Sequence, residues 1–471
     1  MLLDNSREKG DNIELCQAWY NNPMNILILG YGVEGKSVES YFKHASSDNK
    51  IDILDKFEKE ELLFKDFSNY DLIFRTPSIP PKFINAPAEK VTSCTKYFFH
   101  NCNCPIIGVT GTKGKGTTCT LIRDLIQEIF NSKSQNVVFE SERPKTYLVG
   151  NIGTPSLDVL PDIKKSDVVI YELSSFQLWD MDVSPTISVV LRIEPDHLDV
   201  HENFEEYVSA KQNIINYQNK QDTCVYFKNN DNTARLINPT KAQKLEYPYE
   251  EPAILNELQV PGDHNREDAE AALMAAFAFF KLHDDRLTFE KFIKYNEKAL
   301  GKALHNFKPL PHHIEFVREV NGVKYYDDSF STVSPALRAC LNSFPDTPFV
   351  LIVGGKDKGF DISEIKRIIF DNPHLIKAVL IGETAAKLAD GEDPEKYIIA
   401  GTDFDLAIKT AKELAENKLT QEEELSDTCL VDKKPVVKEP VVLLSPCASS
   451  FDMFKSYKDR GDQFKSIVNA L

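Results

Sequence analysis

An apolar run, Pro105-Ile106-Ile107-Gly108-Val109-Thr110, stops at a stretch dense in glycine and lysine, and an amphipathic run follows it. The stretch is Gly111, Thr112, Lys113, Gly114, Lys115, Gly116, Thr117 and Thr118. The run before it reads as a short buried strand. The run after it puts Leu121, Ile122, Leu125, Ile126 and Ile129 on one helical face. Strand, glycine loop and helix together hold nucleotide phosphates. Amides at the helix start point at the anion, glycines let the backbone approach, and Lys115 adds a positive charge. The pattern departs from the usual P-loop, with Val109 at the first glycine position and Gly116 at the hydroxyl position. That hydroxyl normally meets magnesium, so Thr117 or a water has to take its place, or the site is weakened.

With 471 residues the chain exceeds one hydrophobic core and calls for two to four domains. A formal charge of −17 argues against general affinity for nucleic-acid backbones or anionic membranes. The longest apolar stretches are strand-sized, which predicts no membrane insertion. The segment Met1 to Asp11 is polar and lacks the apolar core of a secretory leader. Nine scattered cysteines fit a reducing cytoplasm, and Cys102-Asn103-Cys104 has no second pair at zinc spacing. We therefore expect a cytoplasmic protein that acts on small molecules, as a monomer.

Three blocks follow from the patterning. Residues 1–104 open with the strand Asn25 to Leu29, then Gly30-Tyr31-Gly32-Val33-Glu34-Gly35, and a second strand ends at Asp55. Glycine at the first turn of alternating strands and helices indicates a small Rossmann-like unit. Residues 105–304 contain the phosphate loop. Residues 305–471 alternate strands, including Ile314 to Val317, with helices. The charged stretch 417–440 reads as a patternless exposed insertion, and Asn131 to Thr146 as loop.

Within the middle block, the strand Val168 to Tyr171 ends in Glu172, followed by Leu173-Ser174-Ser175-Phe176-Gln177. A carboxylate there either ligates a nucleotide-bound magnesium or simply ends the strand. The strand Ile187 to Leu191 runs likewise into Glu194-Pro195-Asp196-His197-Leu198-Asp199. Lys211 follows on a helical segment. It is either a solvated charge or a lysine that reacts with carbon dioxide to give a carbamate, and the sequence alone leaves both open.

These segments, in order with Gly150-Asn151-Ile152-Gly153, Pro261-Gly262-Asp263-His264-Asn265 and Leu443-Leu444-Ser445-Pro446-Cys447-Ala448-Ser449-Ser450-Phe451-Asp452, resemble the Mur ligase family of cell-wall amino-acid ligases. The segment Glu172 to Leu178 is similar to the branch that adds glutamate. The resemblance implies an α/β chain of three domains: two Rossmann-like units flanking a central P-loop ATPase domain. It implies ATP and two magnesium ions, with UDP-N-acetylmuramoyl-L-alanine and glutamate as substrates and an acyl-phosphate intermediate. Lys115 would then contact the phosphates, and Glu172 would ligate the first magnesium with Thr117 as helper. His197 and a carbamylated Lys211 would hold the second ion. His264 and Asn265 would lie on the adenine side, Asp328 near the ribose, and Asn151 and Ser174 on the substrate side. Thr332, Lys358, Ser450 and Tyr457 would form the amino-acid pocket.

Four positions depart from the family pattern. Gly116 stands for the hydroxyl residue, Phe330 for a frequent lysine, His313 for a frequent arginine and Asp268 for a frequent asparagine. The charge logic of Lys115, Glu172, His197, Lys211 and Lys358 survives them, which favours an active enzyme. Rival readings are a same-fold ligase for L-glutamate or another amino acid, a non-catalytic nucleotide binder, and a dehydrogenase suggested by Gly30-Tyr31-Gly32.

Overall fold

Short strands, the central ones apolar and buried, build three sheets, each flanked by helices as parallel strands require. The computed structural model describes residues 23–132, 144–198, 200–249, 252–359, 361–428 and 439–471. Met1 to Asp11, Asp199 and most of the Asn131 to Thr146 loop therefore lie outside the described residues.

The first sheet orders β1 (Asn25–Leu29), β2 (Lys50–Leu54), β3 (Leu72–Arg75) and β4 (Val91–Ser93) as β2-β1-β3-β4, all parallel. The second holds β5 (Ile106–Thr110), β6 (Thr146–Gly150), β7 (Val168–Glu172), β8 (Ile187–Val190), β9 (Thr223–Phe227) and β10 (Gln243–Tyr247). Its order is β10-β9-β8-β5-β7-β6, again all parallel. Central strands β5, β7 and β8 are buried throughout, while β10 at the edge carries Lys244 and Glu246 toward solvent. The chain leaves β5 to build one side of the sheet and returns through β8 to build the other. The end of β5 is thus the switch point where open α/β sheets take their ligands.

The third sheet orders β11 (Glu315–Val320), β12 (Val323–Asp327), β13 (Phe349–Gly354), β14 (Leu375–Ile381), β15 (Tyr397–Gly401) and β16 (Val441–Leu444) as β11-β12-β16-β13-β14-β15. Only the β11–β12 pair is antiparallel. Separate apolar clusters cover its two faces, one around Leu337, Ile369 and Leu443, the other around Tyr325, Ile408 and Phe464. Residues through Gln259 with Arg266–Phe307 form one compact unit, which contains the first two sheets. Lys308–Leu471 with Val260–Asn265 form the other, built on the third sheet.

Two expectations are corrected. The strand expected from Ile314 starts one residue later, because Ile314 sits at φ 48°. The supposed insertion begins as helix: Phe404–Thr428 is continuous, and only 429–438 lie outside the described residues. Ala407, Ile408, Ala411 and Ala415 are fully buried and anchor the first half of this helix. Glu416 then accepts a 2.8 Å bond from Asn321 Nδ2, and Lys418, Leu419 and Gln421 are residues that favour helix.

Candidate active site

Helix Lys115–Asn131 starts directly after the glycine loop, capped by Gly114 at φ 83° without any side-chain hydrogen bond. Its first amides lie at the positive end of the helix, where an anion binds. A Cβ on Gly114 would fall 2.2 Å from Asp268 Oδ1, and one on Gly111 would fall 2.6 Å from Leu191 Cβ. Close approach dictates both glycines, and at Gly114 the left-handed backbone does so as well. The loop is stapled to the end of β8: Thr112 N donates to Arg192 O at 2.9 Å, and Glu194 N donates to Thr112 Oγ1 at 2.8 Å.

Lys115, Lys211 and Glu172 converge on this loop. Lys115 Nζ donates to Gly111 O at 3.1 Å and Thr112 O at 3.0 Å. Lys211 Nζ, from helix Phe204–Asn216, donates to the same Gly111 O at 3.0 Å and to Thr110 Oγ1 at 3.2 Å. Lys211 is 2% exposed, which rules out a solvated helix charge. Burial pushes its ammonium well down, helped by the charge of Lys115. Lys115 is also lowered by burial, against the pull of Glu172 and Asp196. Glu172 is raised by burial, while Lys115, a hydrogen bond from Asn151 and Lys211 pull it the other way. Glu172 Oε2 is buried with no hydrogen-bond partner. An orphaned buried carboxylate oxygen beside a phosphate loop fits a divalent cation.

His197 stands outside this triad. It is exposed at φ 54°, with Nε2 3.8 Å from Asp196 and its ring 5.0 Å from Phe176. Two residues passed over in the sequence lie close by. His201, 2% exposed, faces Ser175 Oγ at 2.9 Å and stacks on Phe176 at 5.3 Å. Gln177 closes a capping box with Ser174 and donates to Glu34 at 2.9 Å. The His201 contact spans 26 positions and the Gln177–Glu34 bond 143, so neither leaves a local pattern to read. Asp268 is driven well up by burial and by Glu267, toward the neutral form that matches asparagine in shape. Lys113 is exposed, Thr117 partly buried and Thr118 buried.

The remaining expected residues belong to the other unit. Asn265 Nδ2 is taken by Pro261 O at 2.6 Å, and His264 lies against Gly262. Asp328 turns inward, accepting from Ser445 Oγ at 2.8 Å and from Ile314 N at 3.3 Å. Burial raises it to about 7. Lys358 is exposed beside Lys356 and Asp357, Thr332 is half-buried and Ser450 is 3% exposed. The Tyr457 ring meets Phe330 at 5.1 Å, and Phe330 stacks on His313 at 4.1 Å. Among the described residues His312, Glu315 and Asp327 could also hold a metal, but Lys465 already reaches Glu315 at 3.1 Å.

Residues 109–283 match the Mur ligase middle domain. The UDP-N-acetylmuramoylalanine-D-glutamate ligase of Acetivibrio thermocellus is 31% identical over 493 aligned residues, covering 95% of this chain and 96% of that protein. The protein of the same name from Clostridium botulinum is 32% identical over 85% of this chain and 83% of its own. Two solved structures share the fold. MurF of Acinetobacter baumannii has a TM-score of 0.54 at 14% identity, over 94% of this chain and 93% of that one. MurF of Thermotoga maritima, in complex with ADP, has a TM-score of 0.50 at 14% identity, over 95% and 96%.

Proposed function

This chain belongs to the Mur ligase family, ATP-dependent peptide ligases of peptidoglycan synthesis, and we propose that it joins D-glutamate to UDP-N-acetylmuramoyl-L-alanine. The observation that carries the chemistry is the convergence of two lysines and an unpartnered Glu172 oxygen on the loop after β5. The choice of glutamate is supported by the near full-length similarity to D-glutamate ligases. In this reading residues 1–104 take the UDP moiety, 105–304 take ATP and 305–471 take the amino acid.

A carboxylate and an amine do not condense in neutral water, because the acid has no adequate leaving group. The alanyl carboxylate therefore attacks the γ-phosphate of ATP, giving an acyl phosphate and ADP. Lys115 offsets repulsion between the two anions, and the helix amides hold the phosphates in line. Glu172 with Thr117 would hold one magnesium and His197 with carbamylated Lys211 a second, supplying further charge neutralisation of the phosphates. Glutamate, its carboxylate held by Lys358 and Thr332, attacks the acyl carbon through its free amine, and phosphate leaves.

Phosphate release from ATP, measured with UDP-N-acetylmuramoyl-L-alanine plus each glutamate enantiomer in turn, tests the proposal. Release with D-glutamate alone is expected. Release with L-glutamate or another amino acid instead reassigns the substrate, a choice that Phe330 in place of the frequent lysine leaves open. Binding of both nucleotides without ADP formation under any amino acid would sink the ligase reading.

A further inference from the structure

A cleft of about 420 Å³ opens at the first glycine loop, lined among others by Tyr31, Glu34, Asp55, Lys59 and Ser78. Asp55 Oδ1 accepts the Tyr31 amide at 2.7 Å, which fixes the loop. Glu34 faces two ways. Its Oε1 accepts from Gln177 Nε2 at 2.9 Å, and its Oε2 is buried with no partner. Gln177 Oε1 in turn accepts from Ser174 N at 3.0 Å and Ser174 Oγ at 3.1 Å. Ser174 is two residues beyond Glu172. An unbroken hydrogen-bond chain thus leads from a cleft wall to the carboxylate segment beside the phosphate loop.

We propose that Glu34 is a positioning residue that couples the ligand in this cleft to the nucleotide site through Gln177 and Ser174. This rests on the function proposed above, in which the cleft takes the nucleotide-sugar substrate. Glu34 lines the cleft, so a polar group of that substrate bears on its carboxyl. That contact fixes the carboxyl, which fixes Gln177 and the turn that carries Glu172. The coupling is reciprocal, so each ligand tightens the other. Burial raises the Glu34 carboxyl, opposed by the Gln177 bond and the charge of Arg75.

The test is calorimetric titration of a non-hydrolysable ATP analogue with magnesium, with and without saturating UDP-N-acetylmuramoyl-L-alanine. The wild-type protein is expected to bind the analogue at least about fivefold more tightly when the sugar nucleotide is present. Glu34→Ala should cut that ratio to below about twofold with little change in Tm, whereas Glu34→Gln, which keeps an acceptor for Gln177, should retain it. Gln177→Ala should lose the coupling equally, and the double variant should lose no more. Should Glu34→Ala fail to fold, Gln177→Ala carries the same expectation. Wild-type coupling preserved in either alanine variant, or absent from the wild type although both ligands bind, overturns the proposal. Failure to bind the sugar nucleotide at all overturns the assigned substrate as well.

Discussion

Lys115 and Lys211 donate to one and the same carbonyl oxygen, that of Gly111, at 3.1 and 3.0 Å. Two ammonium groups sharing an acceptor repel, and burial adds to the cost of charging Lys211. Both effects shift the balance toward the neutral amine, the form that attacks carbon dioxide. Lys211→Ala is expected to cut turnover at least about 100-fold, the scale seen when a transition-state charge partner is removed. Short carboxylates added to the assay should restore part of it by supplying the missing oxygens. Undiminished phosphate release from the plain variant would refute the role.

Gly114 is a second point of attack, because its environment leaves no room for a side chain. Gly114→Ala must place a Cβ against the Asp268 carboxyl while holding φ at 83°. Strain of this kind costs about 1–3 kcal/mol. Urea unfolding should show a loss of that order, and affinity for ATP should fall because the helix start shifts away from the phosphates. An unchanged midpoint with unchanged ATP binding would mean that Asp268 simply steps aside.

The loop after β5 was legible because a buried strand, a glycine cluster and a helix each leave a local signature. Glu172 was legible for the same reason, as an acid where an apolar run stops. Lys211 was not decided by sequence, since burial of a helical lysine depends on Thr110 and Gly111, a hundred positions away. Arg75, wholly buried against Asp180 with Nε 2.8 Å from its carboxylate, left no trace either. The end of helix Phe404–Thr428 was misread because its glutamates carry no apolar period, although the buried alanines upstream propagate the helix into it.

Asp328 supplies a pH dependence whose sign can be worked out. Burial raises its carboxyl from the usual 3.8 to about 7. Below about pH 4 the folded and unfolded chains are both protonated and its full contribution is present. As pH rises to about 7 the unfolded chain releases the proton first, and stability is lost, on the order of 4 kcal/mol. Asp328→Asn keeps partners for Ser445 and the Ile314 amide but cannot ionise. Its unfolding free energy should therefore fall less than the wild type's between about pH 5 and pH 8. Parallel curves for the two proteins would show that Asp328 is ionised throughout.

Phe330 and His313 are both departures from the family pattern, and they are in contact. Their rings stack with centroids 4.1 Å apart at 29°, and Tyr457 meets Phe330 edge-on at 5.1 Å. Burial, reinforced by His312, lowers His313 to about 4, so the imidazole in this stack is neutral at physiological pH. An uncharged aromatic pair thus stands where the family pattern frequently has two cations. Phe330→Lys alone should forfeit the ring contact, about 1 kcal/mol. His313→Arg alone should cost less, because a guanidinium can lie on the Phe330 face. Combined, the two should be less harmful than their sum by about 1 kcal/mol in a double-mutant cycle read by urea unfolding. Thr332 lies two residues beyond Phe330, so the lysine variant should also raise KM for the amino acid while leaving KM for ATP unchanged. Strict additivity would show that the two rings are not energetically coupled, and an equal shift in both KM values that Phe330 does not act through the amino-acid pocket.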